Sequence, residues 1–214
     1  MSTLSQAELD EYEIEPIRGL PERPPAGEEL LWQGRPATLA LAREAYKITW
    51  IAGYFVAFAV WQAATLAHGP AEVLAVMLPY LVIGLVTCGI IYGVAAAQAR
   101  ATVYTLTTAR VAMRIGAALT VTLNIPFRQV ANANLALRAN GTGTIALETL
   151  GDTRISYLVC WPHVRPWRFA HTQPALRCIP DAARVAKMLS EAAETRISEP
   201  QVARAVGRMA VAAE

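Results

Sequence analysis

The chain has 214 residues, is 54% hydrophobic and only 17% charged, and has a formal net charge of +2. Ordinary soluble domains hold about 25% charged residues; here the shortfall is concentrated in two long windows that contain no charge at all. The basic residues are scattered, with no basic stripe of the kind nucleic acid requires, and Cys88, Cys160 and Cys178 have no metal-type spacing.

Residues 1–27 form an acidic arm with six acids and two arginines, and Pro16, Pro21, Pro24 and Pro25 deny it a continuous helix. No basic n-region or cleavage site marks a signal peptide. Residues 28–47 change character. Glu29 to Gln33 reads as a short strand and Thr38 to Lys47 as a juxtamembrane helix. Arg43 and Lys47 are four apart, on one face of that helix, where they can meet lipid phosphates.

The first uncharged window, Ile48 to Ala67, has 20 residues, and the second, Val73 to Ala99, has 27. A helix rises about 1.5 Å per residue and a bilayer core needs about 20 residues, so each window is long enough to cross. Soluble helices rarely run so far without a charged face. Only "HGPAE" separates the windows, so residues 48–99 read as a transmembrane helical hairpin. Arg35, Arg43 and Lys47 precede the first helix, Arg100, Arg110 and Arg114 follow the second, and the connecting loop has neither Lys nor Arg. The excess of positive charge on the cytoplasmic side predicts both termini there. Gly89 and Gly93, four apart in the second window, allow close helix approach, either within the hairpin or against a partner helix.

Residues 100–214 carry 14 basic and seven acidic side chains, a net of +7, against five basic and nine acidic in residues 1–47, a net of −4. The basic part is suited either to anionic headgroups or to an acidic partner or arm. It begins with strands. "YTLTTARVAMRIG" alternates, with Val111, Met113 and Ile115 on one face and a two-residue link at Thr108-Ala109. "LTVTLNI" puts Leu119, Val121, Leu123 and Ile125 on one face and stops at Pro126. "ANANLALRA" leads into Asn140-Gly141, a hairpin signal in which both residues tolerate positive φ. "TGTIALETL" and "TRISYLVCW" continue the series, the latter alternating at Ile155, Tyr157 and Val159, and prolines make 161–178 irregular or edge-like. An amphipathic helix follows Asp181 and closes a domain over 100–196, with Val185, Met188 and Leu189 on its apolar face. Residues 197–214 read as a tail with a second short helix over 199–212. The fold class is thus a membrane protein of α + β type. It combines a two-helix transmembrane hairpin with a cytoplasmic antiparallel β-barrel or sandwich, capped by a C-terminal helix.

Tyr104, Leu106, Thr107 and Arg110 resemble the opening hairpin of the bacterial pleckstrin-homology domains found beside membrane helices. "IPFRQVANANL" and "NGTGTIALET" fall where that family has its third to fifth strands, and the resemblance covers roughly residues 100 to 192. Gly19-Leu20-Pro21-Glu22, then Gly27-Glu28 through Pro36 and "LAREAYK" before two apolar windows, resemble the PuhB family, the photosynthetic complex assembly proteins of purple bacteria. That resemblance implies an accessory protein of the intracytoplasmic photosynthetic membrane, a multi-pass protein of the bacterial inner membrane. It would help to assemble light-harvesting 1 around the reaction centre, with no enzymatic reaction and no cofactor. The implied partners are light-harvesting 1 or reaction-centre subunits and membrane lipid, with a homodimer left open and no nucleic acid. The rival reading is a membrane-anchored lipid-binding or scaffolding module unrelated to photosynthesis.

The candidate contact residues are Trp32, Arg43, Lys47, Gly89, Gly93, Arg110 and Arg114, together with Trp161, Arg165, Trp167 and Arg168 of "CWPHVRPWRF". Trp and Arg are enriched at binding hot spots and at lipid interfaces. Arg110 and Arg114 are expected at the height of the cytoplasmic headgroups, and Trp32 is expected to fill a groove of the β domain. His68, His163 and His171 form no metal pattern, neither window holds a histidine for a pigment, and no nucleophile or phosphate-loop motif occurs.

Overall fold

The computed structural model of the protein describes residues 19–20, 24–25, 27–117, 119–151 and 155–198. Most of the acidic arm and the tail helix expected over 199–212 lie outside the described residues. Strand β1 (Leu30–Gly34) and helix α1 (Thr38–Glu44) precede two long helices, α2 (Ile48–Leu66) and α3 (Pro70–Ala101). Pro70 starts α3, at a position where its missing N–H costs nothing. Glu72 in the first turn and Arg100 in the last complement the helix dipole.

Helices α2 and α3 are both long and apolar enough to cross a membrane, and only 11% and 6% of their apolar windows are buried within the chain. They hold each other along one seam. Gly84 lies against Phe55, where a Cβ would come within 2.7 Å of the Phe55 Cβ. Gln62 donates to the Tyr80 hydroxyl at 2.7 Å, and Phe58 meets Tyr80 edge-on at 5.2 Å. Beyond that seam the chain covers Ala95, Ala96 and Ala99 at the end of α3, and most other side chains of the two helices are exposed.

Strands β2 (Val103–Thr107), β3 (Arg110–Ile115) and β4 (Val121–Pro126) join β1 in an antiparallel sheet of order β1-β2-β3-β4. Leu106 pairs with Val111, which leaves Thr108-Ala109 as the expected two-residue link. The Thr107 hydroxyl oxygen secures it by accepting from the N–H groups of Ala109 and Arg110 at 3.2 and 3.1 Å. A 3-10 turn at Phe127–Gln129 then carries the chain into a second antiparallel sheet, β5 (Val130–Leu137), β6 (Thr142–Thr149) and β7 (Ala175–Pro180). This turn breaks the ladder between β4 and β5, so the strands form two sheets and not the closed barrel allowed for by the sequence. Helix α4 (Ala182–Ser198) packs on β5 and β6.

One core joins both sheets to α4. Tyr104, Leu106, Val111, Met113 and Ile115 meet Phe127, Ile145, Leu147, Leu176 and Ile179, with Val185 and Leu189 of α4. The alternation on β3 is realised, but Ala112 is buried too, so both faces of that strand are covered. Three sequence expectations differ. Leu119 is 82% exposed, because β4 begins only at Val121, after a turn in which Gly116 takes φ +101°. A Cβ at Gly116 would collide with the Leu119 carbonyl, which is why glycine stands there. The strand expected through Tyr157 and Val159 is one helical turn, Tyr157–Cys160. The free edge of β6 is taken instead by β7, whose Ala175 to Ile179 are buried within a stretch the prolines had marked as irregular. In the hairpin between β5 and β6, only Gly141 takes a positive φ, +77°, and the Asn140 side-chain oxygen accepts from the Thr142 N–H at 3.1 Å.

Candidate functional site

The junction between the long helices and the sheets brings charged, polar and aromatic side chains together. Helix α1 is wedged there. Its Ala40 and Leu41 pack against Ala99 near the end of α3 and Cys178 of β7, and the Ala37 N–H donates to the Cys178 carbonyl at 2.8 Å. The helix stops at Glu44, three residues earlier than the sequence suggests, and Lys47 turns the chain into α2 with φ +55°. That is a strained conformation for a residue with a Cβ. Arg43 and Lys47 therefore do not share one helix, yet both line one cleft.

The cleft has a volume of about 970 Å³. Arg43, Glu44 and Lys47 form one wall, Arg138 and Asn140 of the β5–β6 hairpin a second, and Tyr157, Trp161, Trp167 and Phe169 the third, with Arg177 also lining it. Glu44 is largely buried. It accepts from Arg138 Nε and from the Cys178 thiol, the latter at 3.2 Å. Burial holds the Cys178 thiol above its ordinary pKa, so it stays a donor to that carboxylate. Four cations and one acid leave the lining with three net positive charges. Among the described residues neither Arg43 nor Lys47 has an ion-pair partner.

The aromatic wall stands at the start of α2. Tyr46 meets Trp161 edge-on at 5.0 Å, Tyr157 lies 4.6 Å from Phe169, and Phe169 lies 6.2 Å from Trp167. Trp167 adopts φ +63° and is 84% exposed. Phe169 beside it is also exposed.

Beneath this cleft runs a buried hydrogen-bond chain. The Thr102 hydroxyl donates to the Gln98 carbonyl at 2.7 Å, capping the end of α3. Its oxygen can therefore accept from His163 Nε2 at 3.1 Å, which makes Nδ1 the acceptor of the Tyr104 hydroxyl at 2.6 Å. The Tyr104 oxygen accepts from the Arg177 N–H at 3.2 Å, and the Arg177 guanidinium donates to the Pro162 carbonyl at 3.0 Å. His163 is thus a neutral buried bridge. Burial first, and the Arg177 charge second, lower its pKa from 6.5 to about 3. Burial raises Tyr104 well above its ordinary value. The chain locks α3 to β2, β7 and the loop before β7.

The other sequence candidates lie elsewhere. Arg110 is ion-paired to Glu28 at 2.7 Å, at the end of β2–β3 away from the helices, so the expectation that it meets headgroups is corrected. Strand β2 leaves α3 at Val103, opposite Arg114, and runs about 13 Å before it reaches Thr107. Arg114 is therefore the arginine at the helix end of that hairpin. Trp32 folds over Gly34 and packs against the core, as a groove-filling residue. Arg165 donates to the Gln173 side-chain oxygen at 3.0 Å, outside the cleft, and Arg168 is exposed. Gly89 and Gly93 face open space, whereas Gly84 makes the contact within the hairpin. No group of His, Cys, Asp and Glu among the described residues is placed to hold a metal. The sequence reading missed Glu44, Arg138, Arg177 and the His163 bridge, which the chain brings together from positions up to 134 residues apart.

A family model of the bacterial PH domain matches residues 46–193. The chain belongs to the bacterial PH domain family. In this PH chain the match takes in both long helices, the residues of the His163 bridge and helix α4 up to Ala193, and β1 and α1 precede it. A Rhodobacter capsulatus protein is 48% identical over 198 residues, covering 90% of this chain and 92% of its own length. It is described as an uncharacterized 23.7 kDa protein in the puhA 5' region. No solved structure matches.

Proposed function

We propose that this PH protein is an integral-membrane assembly factor of the purple-bacterial photosynthetic core complex. It would hold light-harvesting 1 or reaction-centre subunits through its helices and its cytoplasmic domain, and would carry out no reaction of its own. The observation that carries the reading is the pair of long apolar helices whose outer faces are left uncovered and which are fixed to the PH domain through α1 and the His163 bridge. Apolar surface on that scale needs lipid or a partner to cover it. In the proposed topology both termini are cytoplasmic and the His68–Glu72 loop lies outside, in line with the absence of Lys and Arg from that loop.

Two further features support the photosynthetic setting. The sequence resembles the PuhB family in the stretch from Gly19 to Pro36, and the Rhodobacter capsulatus relative lies in the puhA 5' region. Gly89 and Gly93 give the second helix an outward face that a subunit helix can approach closely. The test is purification of the tagged full chain from photosynthetic membranes in mild detergent. Light-harvesting 1 or reaction-centre polypeptides should co-purify, and should be depleted by Gly89→Ile with Gly93→Ile. Recovery of the chain without either class of polypeptide would reject the proposal.

A further inference from the structure

We propose that the cleft at the base of the helices holds the headgroup of a single anionic phospholipid of the cytoplasmic leaflet. The inference rests on the membrane-spanning part of the reading above and not on the assembly role. Three observations point to this occupant. The first is height: Lys47 directly precedes Ile48, the first residue of α2, and Trp161 touches Tyr46, so the cleft opens where the hydrocarbon would begin. The second is charge. Glu44, the acid in the lining, is turned inward onto Arg138 and Cys178, which leaves Arg43 and Lys47 exposed and without a carboxylate partner among the described residues.

The third is the aromatic wall. Trp167 and Phe169, 84% and 61% exposed, line the cleft together with those cations. Amphipathic aromatic rings favour the level of the headgroups. Trp50, one helical turn beyond Lys47, is 78% exposed on α2, at the level where acyl chains would begin. A phosphate paired with Arg43 and Lys47 would therefore have its glycerol against Trp161 and Trp167 and its chains along α2. A soluble acidic peptide would satisfy the same cations but would leave the exposed faces of Trp167 and Phe169 in water, so the observations favour lipid.

The experiment is native mass spectrometry of the full chain released from detergent, with phosphatidylglycerol, phosphatidylcholine or inorganic phosphate added separately. Alkaline extraction of the membranes beforehand checks insertion. The wild-type chain should resist extraction, retain one phosphatidylglycerol in preference to phosphatidylcholine, and lose it only weakly to excess phosphate. Removing two surface cations with R43Q and K47Q together should weaken retention roughly thirtyfold. The charge-conserving pair R43K and K47R should restore it, and R128Q with R184Q, away from the cleft, should change it little. Equal retention of the two lipids, displacement of the lipid by free phosphate alone, or unchanged retention in R43Q/K47Q would overturn the inference. The wild-type lipid comparison decides the matter even if a variant fails to fold. Extraction of the wild-type chain by alkali would overturn the membrane reading itself, a result separate from loss of lipid preference in an inserted chain.

Discussion

Acidification should loosen the PH domain from its helices through His163. The ring accepts from Tyr104 and donates to Thr102 only when neutral, and its pKa is lowered from 6.5 to about 3 in the fold. Between those values the unfolded chain binds a proton that the folded chain refuses, so stability falls as pH falls. The contribution is complete above pH 6.5 and is lost progressively towards pH 3. From pH 7 to pH 5 the unfolded histidine gains about 1.5 units of driving force, worth about 2 kcal/mol at roughly 1.4 kcal/mol per unit. The assay is urea unfolding of the full chain in mild detergent, followed by tryptophan fluorescence at both pH values, for the wild type and for His163→Gln. Glutamine keeps a donor and an acceptor but does not titrate, so the variant should start less stable and should lose about 2 kcal/mol less on acidification. The same pH dependence in both proteins would refute a neutral His163 bridge.

Three further outcomes follow from particular contacts. Gly84→Ile should destabilise the hairpin by about 1–3 kcal/mol in detergent unfolding, because its side chain must displace Phe55, whereas Gly89→Ile should cost little; equal costs would contradict the seam. Glu28→Ala leaves the Thr107 hydroxyl and the Arg110 guanidinium without their shared acceptor and should cost about 1–3 kcal/mol in denaturant midpoint. Tyr46→Phe removes a buried hydroxyl that has no hydrogen-bond partner among the described residues and should be neutral or stabilising; a loss above about 1 kcal/mol would show that the hydroxyl has a partner after all.

The helices were legible because absence of charge over 20 and 27 residues is a long, one-dimensional signal. The β2–β3 hairpin was legible because Thr107, Thr108 and Ala109 close a two-residue link that the alternation on either side requires. By contrast, β7 was hidden, since Ala175 to Ile179 are all buried and show no alternation, and the strand ends in Pro180. The Tyr157–Cys160 turn was misread because alternation alone does not reveal whether a sheet edge is free. The cleft was half legible. Arg43, Lys47, Trp161 and Trp167 stand out as residue types at a membrane boundary, but Glu44, Arg138 and Arg177 acquire meaning only when β7 and the β5–β6 hairpin fold onto α1. His163 carries no local signal either, since a lone histidine beside a proline shows its role only through Thr102 and Tyr104 on the far side of the core.

The central claim is that this PH protein serves assembly of the photosynthetic core complex. The most direct measurement is near-infrared absorption of membranes from a strain lacking the gene, with total bacteriochlorophyll synthesis followed in parallel. The account predicts a loss of the core antenna band with pigment synthesis intact, restored by the wild-type gene. Normal core antenna absorption in the deletion strain would contradict it.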